Sequence, residues 1–251
     1  MQYRVLGRTG YRVSILIMGG CGPGIAPKAE DGVRAFDMAV ERGLNYVDVA
    51  PTYGEAEVRL GPLVRRYRDR LVVAEKTLER SWEGAWRELR RSLERLGCGY
   101  FDVYQLHALD TLGDLDRVFG ERGAMRAILE AREQGLVKHV GITSHNKAVL
   151  LKALERFDFD VVMTPITVGS MLYPRPENDF RPLLRVARDR GIGVIAIKAI
   201  ARGRWVGGRG GTRRGMSPST TPRMCVRPYL SPSHRRGWPP TRCHVTSGSG
   251  P

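Results

Sequence analysis

Two short apolar runs flank one long helix-forming run in residues 71–107, LVVAEKTLERSWEGAWRELRRSLERLGCGYFDVYQLH. Residues 71–76 and 101–107 have the length and apolar character of buried strands, whereas residues 82–96 repeat apolar side chains at helical spacing. Gly97 follows the last helical position, where a residue in the left-handed conformation commonly ends a helix. The stretch therefore predicts one strand, one helix and a second strand of a parallel sheet.

The same alternation continues on both sides of this unit. Seven strand-like runs are predicted, over residues 13–18, 45–49, 71–76, 101–107, 138–143, 160–164 and 193–198. Helices are predicted over residues 31–42, 56–66, 82–96, 124–134, 147–156 and 179–190. A doubly wound open sheet and a closed (β/α)8 barrel both show this alternation, so periodicity alone leaves the two folds open.

The N-terminal segment predicts a separate β-hairpin. Residues 3–13 contain two short extended pieces around the turn Gly7-Arg8-Thr9-Gly10. Extended segments joined by turn-forming residues are typical of a hairpin. If the fold is a barrel, this hairpin precedes the first barrel strand and covers the bottom of the barrel.

The alternation stops near residue 203. Residues 204–251 contain one Leu, no Ile, no Phe and seven Pro, a composition that cannot supply a buried strand and an amphipathic helix. We therefore divide the chain into an incomplete barrel over residues 1–203, with its eighth βα unit missing, and a disordered tail over residues 204–251. A shift of reading frame in GC-rich DNA is a second interpretation, and we favour it because Lys, Ile and acidic residues disappear at the same point.

Charge and composition exclude several classes of protein. The net charge is +15, but ten arginines in residues 202–251, without lysine or acidic residues, account for ten of these charges. The globular part is thus mildly basic and predicts no specific nucleic-acid partner. No apolar stretch approaches the roughly 20 residues of a membrane span, and the N-terminus lacks the apolar segment of a signal peptide, so we expect a cytoplasmic protein without a membrane partner.

The cysteines give no indication of a metal site. Cys21, Cys98, Cys225 and Cys243 are far apart, and no two form a Cys-x-x-Cys pair. This spacing predicts neither a zinc site nor a disulfide framework. We expect reduced thiols and no bound metal.

Four side chains with complementary chemistry fall near the carboxyl ends of three successive strand-like runs. Asp48, Lys76 and His107 lie near these ends, and Tyr53 follows Asp48 by five residues. Barrel enzymes build their active sites at this end of the strands. Alternation along each strand allows Asp48, Lys76 and His107 to face the same interior.

The four residue types together suit the reduction of a carbonyl group. Hydride addition to a carbonyl requires a proton at the developing alkoxide, and a tyrosine donates it well only if its anion is stabilised. Lys76 can stabilise the anion of Tyr53, Asp48 can hold that lysine charged and oriented, and a neutral His107 can orient the carbonyl oxygen by hydrogen bonding.

Six segments resemble, in the right order, the successive signatures of the aldo-keto reductase family. These segments are LGRTG at 6–10, DVAPTYG at 48–54, AEKT at 74–77, RSLERLG at 91–97, YFDVYQLH at 100–107 and VGITSHN at 140–146. The resemblance covers about residues 3 to 203 and all four members of the family's catalytic tetrad. It implies an α/β fold of the (β/α)8 TIM-barrel type with the N-terminal hairpin.

The resemblance also implies an activity and a cofactor. The implied activity is NAD(P)H-dependent reduction of small aldehydes or ketones to alcohols, with NADPH as the expected cofactor and NADH as the alternative. Tyr53, Lys76, Asp48 and His107 match the catalytic positions. Thr143 and Ser144 match the pair that holds the nicotinamide carboxamide in the family, where Ser-Asn is usual. The family's adenosine phosphate contacts would fall in the segment that departs from the pattern here.

Three other interpretations remain open from the sequence. A barrel without its eighth strand could be a truncated, catalytically inactive homologue with an intact tetrad. The arginine-rich tail could bind polyanions without sequence preference. A metal-dependent hydrolase could use Asp48 and His107 as ligands, although Lys76 on the same face argues against a bound divalent cation.

Overall fold

The structure is a computed structural model that describes residues 1–199. The strands β1 to β9 are Tyr3–Val5, Arg12–Ser14, Met18–Gly19, Tyr46–Asp48, Val72–Thr77, Phe101–Leu106, Val137–Thr143, Val161–Pro165 and Gly193–Ile197. The helices α1 to α9 are Cys21–Ile25, Ala29–Glu41, Ala56–Arg66, Trp82–Leu96, Leu112–Val118, Ala124–Glu133, Lys147–Arg156, Val168–Leu172 and Arg181–Asp189. The predicted tail over residues 204–251 lies outside the described residues.

Strands β3 to β9 form one parallel sheet in which the spatial order equals the chain order. Each strand pairs with the next one along the chain, for example through Asp48 opposite Ala74 and Lys76 opposite Gln105. A doubly wound sheet would reverse its strand order, so the uninterrupted order identifies a sheet of the barrel type. Within residues 1–199, β3 and β9 are the two edges of this sheet.

The two faces of the sheet bury different sets of side chains. Alternate strand residues such as Val47, Val73 and Leu106 pack against the surrounding helices. The intervening strand residues form an inner cluster with two hairpin residues. The inner cluster consists of Leu6, Val13, Tyr46, Val72, Ala74, Val103, Val161, Met163 and Ile195. Side chains therefore alternate between the helix-facing side and the interior along β4, β5 and β6, as predicted for the strands that carry Asp48, Lys76 and His107.

The predicted hairpin is confirmed and lies against the amino ends of the last strands. Strands β1 and β2 pair antiparallel, and the backbone N–H of Arg8 donates to the carbonyl of Gly191 at 2.6 Å. Gly7 has φ of +51°, and a Cβ atom there would lie 2.2 Å from the backbone nitrogen of Gly193. Only glycine therefore permits this close approach of the hairpin turn to β9.

Local sequence signals explain the clearest helix boundaries. Helix α4 begins after Ser81, whose side chain accepts a hydrogen bond from the N–H of Gly84, and it ends at Gly97 with φ of +61°. Side-chain capping and a left-handed C-terminal glycine satisfy backbone groups that a helix leaves free at its ends. The predicted bounds of α3, α4 and α7 agree with the structure.

The prediction of a strand over residues 13–18 is wrong in its extent. Residues 13 and 14 belong to the hairpin strand β2, and the barrel strand is the short Met18–Gly19. Between them the Ser14 hydroxyl donates to the carbonyl of Leu16 at 2.6 Å. Ile15 and Leu16 are about half exposed, at 49% and 54%. The apolar run thus combines a hairpin end, a bend and a strand.

Candidate active site

A buried ion pair forms the centre of the site at the carboxyl ends of β4 and β5. The Lys76 ammonium donates to Oδ2 of Asp48 at 2.5 Å and to the carbonyl of Val49 at 2.9 Å. The second carboxylate oxygen of Asp48 accepts a hydrogen bond from the Gln105 side-chain amide at 3.1 Å. The two charges are therefore paired with each other and hydrogen-bonded to further protein groups, which offsets the cost of burying an ion pair.

Tyr53 and His107 complete the group around Lys76. The Lys76 nitrogen lies 4.7 Å from the centre of the Tyr53 ring. The Tyr53 and His107 rings meet edge to face, with 5.8 Å between their centres. The structure thus brings together all four residues that the sequence predicts to be catalytic.

The charges of the site follow from burial and from this pairing. Burial raises the pKa of the Tyr53 phenol, and the Lys76 ammonium opposes that rise without cancelling it. Burial disfavours the charged form of Lys76, but the adjacent Asp48 carboxylate outweighs it and the lysine pKa is raised. At neutral pH Tyr53 therefore keeps its proton while Lys76 stays charged.

His107 is held in its neutral form. Burial, with the positive charges of Lys76 and Arg80, lowers the pKa of His107 to about 4. Its Nδ1 atom is buried and has no hydrogen-bond partner among residues 1–199. A neutral imidazole with a free nitrogen can donate a hydrogen bond to a bound molecule or accept one from it, depending on its tautomer.

We expect the low pKa of His107 to appear as pH-dependent stability. The folded-state pKa of about 4 lies below the ordinary value of 6.5, so the unfolded chain binds the proton more readily between these values. Stability from this group is complete above pH 6.5 and falls as the pH drops towards 4, by about 2 kcal/mol between pH 7 and pH 5. Denaturant unfolding of the wild type and of His107→Gln at both pH values measures it. An equal fall in both proteins would contradict the assignment.

Thr143 and Ser144, the predicted cofactor contacts, lie at the end of β7 and are both buried. The Thr143 hydroxyl oxygen accepts a hydrogen bond from the N–H of Ala108 at 2.8 Å. The Ser144 hydroxyl donates to Asp110 at 2.7 Å and accepts from the N–H of Asn146 at 2.9 Å. The Thr143 hydroxyl therefore binds the residue that follows His107 and keeps its own proton free among residues 1–199. The Ser144 hydroxyl holds its own loop.

Two further residues of the site carried no role in the sequence analysis. Gln105 orients Asp48, and its position two residues before His107, on the same strand face, was a signal for it. Arg80 approaches the backbone of His107 from the loop before α4, and no motif pointed to it.

No metal centre competes with this interpretation in the part of the chain that the structure describes. Residues 1–199 contain no group of three or more His, Cys, Asp or Glu side chains placed to hold a metal ion. The same residues contain no helix that is both long and apolar enough to cross a membrane.

Fold and site define a parallel α/β protein of the barrel type, with its polar site at the carboxyl ends of the strands. The chain belongs to the aldo/keto reductase family, whose model matches residues 16–241. The chain is 26% identical over 226 residues to L-glyceraldehyde 3-phosphate reductase of Escherichia coli O157:H7, covering 81% of this chain and 62% of that protein. Its length spans 62% to 66% of three curated relatives.

Solved structures agree with the fold. The holo form of the aldo-keto reductase AKR11C1 from Bacillus halodurans matches with a TM-score of 0.65 and 25% identity, over 78% of this chain and 65% of that one. Bombyx mori aldo-keto reductase AKR2E4 in complex with NADP matches with a TM-score of 0.62 and 20% identity, over 79% and 67% of the two chains. The second likeness supports the fold alone.

Proposed function

We propose that this protein is an NADPH-dependent oxidoreductase that reduces small aldehydes or ketones to alcohols. The observation that carries the proposal is the buried Lys76–Asp48 pair beneath the ring of Tyr53, with His107 at its edge. A protonated phenol beside a fixed cation and a neutral imidazole is the set that carbonyl reduction requires.

The proposed proton transfer begins with a carbonyl oxygen near the Tyr53 hydroxyl and the His107 ring. A bound nicotinamide dinucleotide would supply the hydride to the carbonyl carbon. As negative charge develops on the carbonyl oxygen, Tyr53 donates its proton to it and becomes a phenolate. Lys76 stabilises that phenolate, which regains a proton from solvent and restores the site.

Asp48 and His107 act through position and charge. Asp48 holds the Lys76 ammonium beneath Tyr53 and offsets its burial, so the cation is present before the reaction starts. Neutral His107 directs the carbonyl oxygen towards the phenol, and its low pKa prevents a second positive charge from forming next to Lys76. Prepositioned groups of this kind lower the barrier because they need not reorganise during the reaction.

The residues at the end of β7 suit a nicotinamide carboxamide. The Thr143 hydroxyl accepts one hydrogen bond and donates none among residues 1–199, so its proton can be donated to the carboxamide oxygen. Ser144 holds the adjoining loop through Asp110 and Asn146. We therefore assign the direct contact to Thr143 and the support of the loop to Ser144. NADPH is the expected cofactor and NADH the alternative.

A second candidate is a homologue with an intact site and no cofactor affinity. The sheet of residues 1–199 favours it, because β3 and β9 do not pair with each other there and an open barrel is weakened at its edges. A cavity of about 750 Å³ lies between the hairpin, β3 and β9, with Asp48 in its wall. The first candidate is favoured by the family match, which continues beyond β9 to residue 241.

The activity can be tested by incubating the full chain with NADPH and a panel of small aldehydes and ketones. We expect one molecule of alcohol for each NADPH consumed, with chromatography identifying the alcohol. NADH in place of NADPH should give slower turnover. Absence of alcohol with either cofactor across the panel would favour the inactive homologue.

A further inference from the structure

We propose that Arg80 is a positioning residue that fixes His107 in the active site and keeps its imidazole neutral. The inference rests on the proposed function for its effect on turnover. Arg80 lies in the loop between β5 and α4, and its Nη2 atom donates to the carbonyls of His107 at 2.8 Å and Ala108 at 3.1 Å. One guanidinium thus connects the loop after β5 to the chain segment that carries His107.

The segment that Arg80 holds has an unusual backbone conformation. Ala108 has φ of +48°, in the left-handed region that costs a non-glycine residue about 1 kcal/mol or more. Its N–H donates to Thr143 at 2.8 Å, and the N–H of His107 donates to the carbonyl of Thr77 at 2.8 Å. The two N–H groups and the two carbonyls of this turn are therefore all held, with Arg80 binding both carbonyls.

The positive charge of Arg80 is also available to act on His107. Among residues 1–199 Arg80 lies within ion-pair distance of no carboxylate, and its Nη1 atom is buried without a hydrogen-bond partner. The carboxylates of Asp114, Asp110, Glu79 and Glu88 act on its charge electrostatically, but burial outweighs them and lowers the pKa of Arg80. A partly buried cation that pairs directly with no carboxylate opposes protonation of a neighbouring imidazole.

Other charges around His107 act in both directions. Lys76 and His145 also oppose its protonation, while Asp110 favours it. Lys76 is paired with Asp48, and His145 contacts Asp110 at 3.4 Å. Arg80 is the remaining cation that both contacts the His107 backbone and lacks a carboxylate partner in the described region.

A set of variants separates the charge of Arg80 from its geometry. Arg80→Gln removes the charge, and Arg80→Lys keeps the charge but cannot reproduce the guanidinium contacts to both carbonyls. The matched control is Arg87→Gln on α4, whose side chain is 72% exposed. NMR titration of the imidazole reports the His107 pKa, and steady-state kinetics report kcat and KM separately.

We expect Arg80→Gln to raise the pKa of His107 by about one unit. Arg80→Lys should leave that pKa low while kcat falls roughly tenfold or more, because His107 is displaced. Arg87→Gln should change neither quantity. An unchanged His107 pKa in folded Arg80→Gln would overturn the inference, and so would unchanged kcat and KM in Arg80→Lys.

The NMR titration remains decisive if the protein reduces no carbonyl, since it requires no turnover. If only the proposed function fails, the wild type will reduce no carbonyl, while the Arg80→Gln variant will still have a higher His107 pKa than the wild type. If Arg80→Gln does not fold, Arg80→Lys carries the test. A His107 pKa in Arg80→Lys that moves to the ordinary value would contradict the role of charge.

Discussion

Replacing Tyr53 by Phe is expected to lower kcat for carbonyl reduction by at least about a hundredfold, because the variant lacks the proton donor. The Phe ring keeps the contact with the Lys76 ammonium and the edge-to-face contact with His107. Cofactor affinity and thermal stability should therefore remain close to the wild-type values. Steady-state kinetics with NADPH and one good aldehyde, together with a cofactor titration, measure the effect.

A matched control separates loss of the proton donor from loss of any tyrosine hydroxyl. Tyr67 is buried, and its hydroxyl donates to Asp37 at 2.6 Å between α2 and the end of α3. Tyr67→Phe should lower stability slightly, through loss of this hydrogen bond, and retain turnover. Full turnover by Tyr53→Phe would exclude Tyr53 as the acid.

Replacing Lys76 by Met is expected to lower kcat about a hundredfold and to change its pH dependence. Without the ammonium, the phenolate left by proton transfer loses its stabilising charge. The pKa of Tyr53, already raised by burial, should rise further. The loss of activity at high pH, where the acid loses its proton, should therefore move to higher pH. A pH profile of kcat measures this shift.

The structural effect of Lys76→Met needs its own control, because the substitution leaves Asp48 buried without its cation. Removing one partner of a buried ion pair commonly costs about 3 to 5 kcal/mol. The double variant Asp48→Asn with Lys76→Met has no unpaired charge and should recover stability without recovering turnover. Recovery of turnover in the double variant would mean that Lys76 acts only through folding.

Much of the fold could be predicted because strand and helix periods differ strongly in this chain. The bounds of α3, α4 and α7 follow from their apolar spacing, and α4 is also delimited by the capping residues Ser81 and Gly97. Helices α1, α5 and α8 have only five to seven residues, too few to show a helical period, and they were not predicted. The hairpin followed from its turn residues, but apolar residues 13–18 gave no sign of the bend after Ser14.

The candidate site could be predicted as a set of residue types, and its internal contacts could not. Alternation placed Asp48, Lys76 and His107 on one face, and the structure brings them together with Tyr53. The support from Arg80 depends on how a loop before α4 meets the turn after β6, and no local pattern encodes this contact. The roles of these residues, and of Thr143 and Ser144, remain predictions.

Cofactor binding by the full chain is the most direct test, because the proposed reaction requires a dinucleotide at the site formed by Tyr53, Lys76 and His107. The measurement is a titration of the purified protein with NADPH, followed by the fluorescence of the reduced nicotinamide. We predict saturable binding at one site per chain, with a Kd in roughly the micromolar range and weaker binding of NADH. A signal that stays linear in NADPH concentration, in protein shown to be folded, would contradict the proposal and identify the chain as an inactive member of its family.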